Sequence, residues 1–399
     1  MQLLNTDIKN KVLDSMMQII ESRKDEILEA NKKDLEAFNR DDQALYDRLV
    51  VNDAKISGMI QAIKEVRDQE DPVSQEISNT TLDSGLKIIN KTAPFGTIMI
   101  IYESRPDVTI EAAVLAFKAN NKILLKGGKE AYHSNVVLVD CWKQALREND
   151  LDESWITMLQ MNREETQAFL KNPDQPLDLI VPRGGERLIG FVKEHAKCAV
   201  LVSGRGNNFL YVHPKADWAK TIEVIINAKT DKISGCNALD KVLVDKNIAD
   251  YESKIKELDE ILKAKGVEVL ADEASKEVLS NNAVIPNEDT WYEEFLAMKI
   301  VLGAVDSMDE AMEKINTYSG GHSSAIMTTD QEAATTFMEN IDTAAVYHNA
   351  STRFTDGGQM GVGAELAIST DKLHHRGPLG LKQLVTNKYY VFGDGHVRV

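Results

Sequence analysis

From Thr97 onward the chain alternates short apolar runs with helix-length amphipathic stretches, and this alternation limits the fold more than any other feature. TIMIIY (97–102), DVTIEAAVLAFKAN (107–120), KILLK (122–126) and AYHSNVVLVDCWKQAL (131–146) read as strand, helix, strand and helix. Pro106 in the first helical turn and Asn120-Asn121 at its end supply start and stop signals. The pattern runs on through WITMLQ, REETQAFLK, LDLIVP, ERLIGFVKEHA, CAVLV and FLYVH, as in a parallel sheet covered by helices. After Cys236 it restarts with KVLVD, a charged helix near 248–265, VEVL, KIVLGAV, DEAMEKINTY, SSAIMTT, QEAATTFMEN and TAAVYHN, which predicts a second α/β domain.

The ends differ from this body. Residues 7–70 repeat apolar positions every three or four residues and read as helices, and a polar stretch with Pro72 follows. The tail LKQLVTNKYYVFGDGHVRV has β-formers without a helical period, so it is expected to pair with another strand, of its own chain or of a neighbouring subunit. With 399 residues, two or three compact units are expected.

Charge and cysteine usage exclude several function classes. Lys+Arg 46 against Asp+Glu 63 leaves a net charge of −17, which repels nucleic acid and anionic membrane, so a phosphate-bearing ligand must be held by local groups. Three cysteines without CxxC spacing or a His-rich cluster argue against a disulfide framework and against a metal site. The start lacks the basic, apolar and small-residue segments of a signal peptide, and no apolar run reaches the roughly 20 residues of a membrane-spanning helix. A cytoplasmic protein is expected.

Chemistry has a few candidate seats. Cys236, in NAKTDKISGCNALDKVLV (227–244), follows Ser234-Gly235 where a helical pattern gives way to a strand, a setting that suits a nucleophile. A small buried hydrophobe is the competing reading, and Cys141 and Cys198 fit it. Lys126-Gly127-Gly128 and Arg183-Gly184-Gly185 follow strands, so each is either an ordinary tight turn or a place where backbone N–H groups meet a dinucleotide phosphate. Ser104 and Arg105 mark a strand-to-helix corner of the kind where open sheets bind ligands, with a helix cap as the alternative for Ser104. The glycine-rich stretch 348–365 carries Arg353, a cation suited to a carboxylate or phosphate.

The strings PFGTIMIIYESRPDVTIEAAVLAFKANNKILLKGGKEAYHSN (94–135), NAKTDKISGCNALDKVLV, WYEEFLAMKIVL (291–302) and VYHNASTRFTDGGQMGVGAELAISTDKLHHRGPLGL (346–381) together resemble the gamma-glutamyl phosphate reductase branch of the aldehyde dehydrogenase superfamily. The resemblance runs over essentially the whole chain. It implies a Rossmann-type NADPH-binding domain over 1–230 with 80–95 in an oligomerisation hairpin, a cysteine-bearing α/β domain over 231–370, and a small β extension for oligomerisation over 371–399. It further implies NADPH-dependent reduction of L-glutamyl 5-phosphate to L-glutamate 5-semialdehyde, the second step of proline biosynthesis from glutamate, by a homodimer or homotetramer receiving substrate from glutamate 5-kinase.

By the same resemblance Cys236 is the nucleophile that forms a thioester, with its own N–H and Ser104 as oxyanion donors. Lys126, Gly127, Gly128, Arg183, Gly184, Gly185 and Glu294 would hold the cofactor. Arg105, Asn349, Ser351, Thr352 and Arg353 would hold the substrate, and no metal is required. Glu294 also reads as an exposed helix-end carboxylate. Two stretches depart from the branch: GRGNN (204–208), where relatives commonly carry Gly-Cys-His, and DKISG (231–235) before the thiol. They motivate two rivals, a reductase for another acyl phosphate or acyl-CoA and a catalytically silent nucleotide-binding oligomer. The absence of a general-base glutamate from VLVSGRGNN suits release of phosphate rather than hydrolysis.

Overall fold

The structure, a computed structural model, describes residues 2–39 and 43–398. The chain divides into two compact units: Met1–Val202 with Gly361–Ala367 and Leu379–Val399, and Ser203–Met360 with Ile368–Pro378.

In the first unit the helices Thr6–Ser22, Lys24–Ala37, Gln43–Leu49 and Asp53–Asp68 come from the N-terminal apolar periodicity. Their buried faces, among them Val12, Met16, Ile27 and Ile63, share a core with Ile98, Ile100, Phe117 and Trp142. The sheet beneath is wholly parallel, in the order Ile156–Met158, Lys122–Lys126, Thr97–Tyr102, Leu179–Arg183, Ala199–Val200. The earliest strand is therefore central, and later strands are added first to one side and then to the other. That reversal leaves a crevice beyond the carboxyl ends of Thr97–Tyr102 and Leu179–Arg183, the place where such sheets bind ligands. Pro106 is the first residue of the helix Pro106–Lys118, where its missing N–H costs nothing.

A separate antiparallel sheet joins Glu76–Thr81, Lys87–Pro94 and Val385–Phe392. The tail strand pairs with another strand, Lys87–Pro94 of its own chain, from Val385 opposite Pro94 to Phe392 opposite Lys87.

The second unit holds seven parallel strands in the order Ala283–Val284, Glu268–Ala271, Lys299–Val305, Leu239–Asp245, Asn208–Val212, Ser323–Met327, Ala345–His348. The division between units falls at Val202/Ser203 and not near 230. The reason is pairing: Asn208–Val212 bonds to Leu239–Asp245 and Ser323–Met327, which carries the following helix Trp218–Thr230 into the second unit. Nor is 371–399 one segment, because Ile368–Pro378 joins the second unit and Leu379–Val399 the first. Among the described residues, no helix is long and apolar enough to cross a membrane.

Candidate active site

Cys236 lies in the turn between the helix Trp218–Thr230 and the strand Leu239–Asp245. The turn is tied by Gly235 N–H to Lys232 O at 3.1 Å and Ala238 N–H to Gly235 O at 3.0 Å. Cys236 is half-buried, whereas Cys141 is fully buried and its thiol is pushed up to about 12 by desolvation. Burial also raises Cys198. Burial thus sets Cys141 apart, while Cys198 is half-buried like Cys236 and differs from it in lying just before the short strand Ala199–Val200 rather than in the hydrogen-bonded turn.

The strands of this sheet run parallel, so the segments leading into them arrive at one end of the sheet. This gathers Arg205–Asn207, the Cys236 turn, Trp291–Phe295 and His322, residues far apart in sequence. The fully buried Asn208 donates its amide to the carbonyls of Cys236 at 2.8 Å, Ala238 at 2.7 Å and Gly206 at 3.0 Å, and accepts from Ser323 N–H at 3.0 Å. Asn207 donates to the carbonyls of Trp291 at 2.6 Å and Tyr318 at 2.9 Å, and Arg205 to Tyr292 O at 3.0 Å. A Cβ on Gly206 would lie 2.0 Å from Cys236 O, so glycine alone fits there. GRGNN, a departure from the branch, therefore braces the thiol turn and the segment carrying Glu294, which is itself half-buried.

The glycine-rich loop splits in two. Asn349, at φ 54°, donates to Thr328 O at 2.7 Å and accepts from Thr328 N–H at 2.9 Å, so its amide ties down the loop start. Thr352 and Arg353 return to the thiol turn: Thr352 donates to Asn237 O at 2.8 Å, and Arg353 donates to the Asn237 side chain and, at 3.1 and 3.2 Å, to Asp231. Ser351 is buried and accepts from Arg353 N–H at 3.3 Å. Asp231, from the second departing stretch, thus provides the carboxylate that holds Arg353.

In the first unit, the crevice at the strand-order reversal contains a cavity of about 270 Å³ lined by Lys126, Arg163, Arg187, Glu103 and the apolar Ile101, Leu188 and Phe191. Burial lowers the Lys126 ammonium from its ordinary value. Arg163 sits over the Phe191 ring, 5.2 Å from its centroid. Helix Glu186–His195 begins at Gly185 without a side-chain cap, which leaves its N-terminus open to an anion. A Cβ at Gly185 would meet nothing, whereas Gly127 lies against Asn135, Gly128 against Glu130, and Gly184 against Leu188 and Glu103. Packing thus accounts for those three glycines.

Two other expected residues have partners of their own. The Ser104 hydroxyl donates to Glu130 at 2.7 Å and does not cap a helix. Arg183 is turned toward the carbonyls of Glu365 and Leu366. Arg105 is held below its ordinary value by burial and by the Arg183 charge. The sequence reading missed Arg163 and Arg187. Arg187 follows the Arg183-Gly184-Gly185 turn closely enough to have been suspected, but nothing near Arg163 in sequence marks it. No cluster of potential metal ligands occurs among the described residues.

The aldehyde dehydrogenase family model matches residues 2–276 and 252–365. A gamma-glutamyl phosphate reductase from Persephonella marina is 42% identical over 404 residues, covering 99% of this chain and 90% of that one. The crystal structure of the gamma-glutamyl phosphate reductase from Thermotoga maritima superposes with a TM-score of 0.95 at 41% identity, over 99% of this chain and 95% of that one. The corresponding crystal structure from Saccharomyces cerevisiae is 28% identical, with a TM-score of 0.51 over 99% and 94%. The braced thiol turn, the parallel sheets and these matches across nearly its full length establish that the chain belongs to the aldehyde dehydrogenase family, in its gamma-glutamyl phosphate reductase branch.

Proposed function

We propose that this protein reduces L-glutamyl 5-phosphate to L-glutamate 5-semialdehyde with release of phosphate, using NADPH, in the biosynthesis of proline. The observation that carries the reading is the half-buried Cys236 on a turn whose backbone is fixed by Asn208 and Gly206.

Sγ of Cys236, as thiolate, attacks the acyl carbon of the substrate. The bond from that carbon to the phosphate oxygen breaks, inorganic phosphate leaves, and a thioester remains. The nicotinamide, when bound, supplies hydride for reduction of that carbon. Collapse of the thiohemiacetal then breaks the C–S bond, restores the thiol and frees the aldehyde. Backbone N–H of Cys236 is the donor proposed for the developing oxyanion. The Ser104 hydroxyl is engaged by Glu130, so Ser104 is assigned no oxyanion contact in this reading.

Residues of the first unit fit the cofactor. Lys126, Arg163 and Arg187 bring cations to the roughly 270 Å³ cavity, Phe191 and Leu188 give an apolar wall for an adenine, and Gly185 opens a helix N-terminus to a phosphate. In this reading Glu294 holds the nicotinamide ribose, and Arg105, Ser351, Thr352 and Arg353 the glutamyl phosphate, with Arg353 sharing its remaining donors beyond Asp231. Asn349 contributes by setting the loop. The exposed Tyr389, Val391 and Phe392 on the strand Val385–Phe392 support a homo-oligomer formed along that sheet.

The test is NADPH oxidation in a mixture of ATP, glutamate, glutamate kinase and the protein. Oxidation that needs every component and disappears in Cys236→Ala is expected. A parent protein that gives no oxidation, indistinguishable from Cys236→Ala, defeats the proposal.

A further inference from the structure

The helix that enters the thiol turn and the strand that leaves it are joined by a buried ion pair. Lys229 Nζ lies 2.9 Å from Asp240 Oδ1, with side-chain exposures of 0% and 3%. The loop between them, residues 231–238, contains Cys236. Strand Leu239–Asp245 is irregular at this point: Asn208 opposes Leu239 and the next residue, Phe209, opposes Lys241, so Asp240 is an extra, bulged residue. A bulge breaks the alternation of side chains across a strand and re-aims the residues around it. Here Asp240 and Lys241, neighbours in sequence, both reach the segment Glu293–Phe295.

Asp240 Oδ2 accepts the N–H of Phe295 at 3.0 Å, and Lys241 Nζ donates to Glu293 O. Lys241 also stands 4.0 Å from the Phe295 ring centroid. Glu294 is thus fixed through the backbone groups on both sides of it. Leu296, next in line, sits at φ 48°, a left-handed conformation that a branched side chain adopts only when its surroundings impose it. The two carboxylate oxygens of Asp240 consequently face two different elements, one the last turn of the helix that enters the thiol turn and the other the Glu294 segment.

We infer that Asp240 is a positioning residue that couples the thiol turn to the Glu294 segment, setting the reactivity of Cys236 and the grip on the cofactor ribose together. This rests on the proposed roles of Cys236 and Glu294. A buried ion pair is a poor source of net stability, since desolvation of both charges offsets their attraction. The pair therefore acts through geometry, with both partners nine-tenths or more buried and each Asp240 oxygen engaged.

Asp240→Asn keeps the shape and an acceptor for Phe295 N–H but removes the charge that answers Lys229. Three quantities are compared with the parent: NADPH affinity from its fluorescence, the rate of iodoacetamide alkylation at Cys236, and KM for each substrate. The expected result is NADPH binding weakened on the order of tenfold together with an alkylation rate changed several-fold, while KM for glutamyl phosphate moves by less than about twofold. Asp240→Glu, which keeps the charge, is expected to recover most of both losses. Should Asp240→Asn not fold, Lys229→Met combined with Asp240→Asn removes both charges at similar volume and is read the same way. A folded variant with NADPH affinity and alkylation both within about twofold of the parent overturns the inference. Failure of the underlying reading is distinct, because the parent itself would then show neither NADPH binding nor a reactive Cys236.

Discussion

Gly206→Ala is the sharpest perturbation of the thiol turn that leaves every polar group in place. The added Cβ would lie 2.0 Å from Cys236 O and 2.5 Å from Cys236 C and Cα, against backbone and not the end of a flexible side chain. Ordinary carbon contacts begin near 3.5 Å, so the Cys236 backbone must retreat by more than about 1 Å. Retreat is resisted, since Asn208 holds the carbonyls of Cys236 and Ala238 at 2.8 and 2.7 Å. Overpacking of this kind costs about 1–3 kcal/mol of stability. A misplacement of about 1 Å costs on the order of 100-fold in rate. The coupled NADPH assay gives kcat/KM and iodoacetamide gives the thiol rate, with urea unfolding as the stability measure. Gly58→Ala is the control: nothing lies within 4 Å of its Cβ, it sits inside the helix Asp53–Asp68, and a gain of about 0.5–1 kcal/mol with unchanged activity is expected. If Gly206→Ala retains parental kcat/KM and alkylation, the thiol turn is not held as described.

Other outcomes follow from the same contacts. Arg187→Ala is expected to raise KM for NADPH on the order of tenfold and leave KM for NADH nearly unchanged, because the lost cation answers a phosphate that NADH lacks. Equal effects on both cofactors in parallel kinetics would place Arg187 elsewhere. Ser104→Ala removes a donor to Glu130 in the first unit, so a stability loss of about 1 kcal/mol with Cys236 alkylation unaltered is expected from thermal unfolding and labelling. Burial pushes Lys241 down to about 8, opposed by Asp240, Glu293 and Glu294 and assisted by Lys229. Since the folded value lies below the ordinary 10.5, the unfolded chain binds more protons between these limits, and stability rises as pH climbs through that window. The parent should therefore gain up to about 3 kcal/mol on Lys241→Met between pH 7 and 10.5 in urea unfolding, and a pH-independent difference refutes the shift.

How much of this was legible differs between elements. The strands Thr97–Tyr102 and Lys122–Lys126 and the helix Pro106–Lys118 follow from local periodicity and Pro106, because a buried parallel strand and its covering helix write their burial into adjacent residues. Cys236 was legible from its turn and from the family strings around it. The brace was not: Asn208 reaches Cys236 28 residues away and Asp240 reaches Phe295 55 residues away, brought near only by the parallel sheet. GRGNN stood in sequence as a departure from the branch that motivated two rival functions, yet its side chains bond backbone carbonyls, which sequence does not display. The boundary near 230 failed for a related reason. Helix Trp218–Thr230 resembles any other in the series, and only the pairing of Asn208–Val212 shows which sheet it covers. Asn349 came from the resemblance and Arg183 from its glycine turn, and each has a backbone partner that sequence does not show.

The central claim is that Cys236 carries the acyl group. Glutamyl phosphate generated in place by glutamate kinase and ATP, in the absence of any nicotinamide, should leave one glutamyl adduct on the peptide containing Cys236, with one phosphate released per adduct, and later addition of NADPH should discharge it as the semialdehyde. Cys236→Ala should show no adduct. NADPH oxidation by a parent that never acquires the adduct, or an adduct that maps to Cys141 or Cys198, would contradict the account.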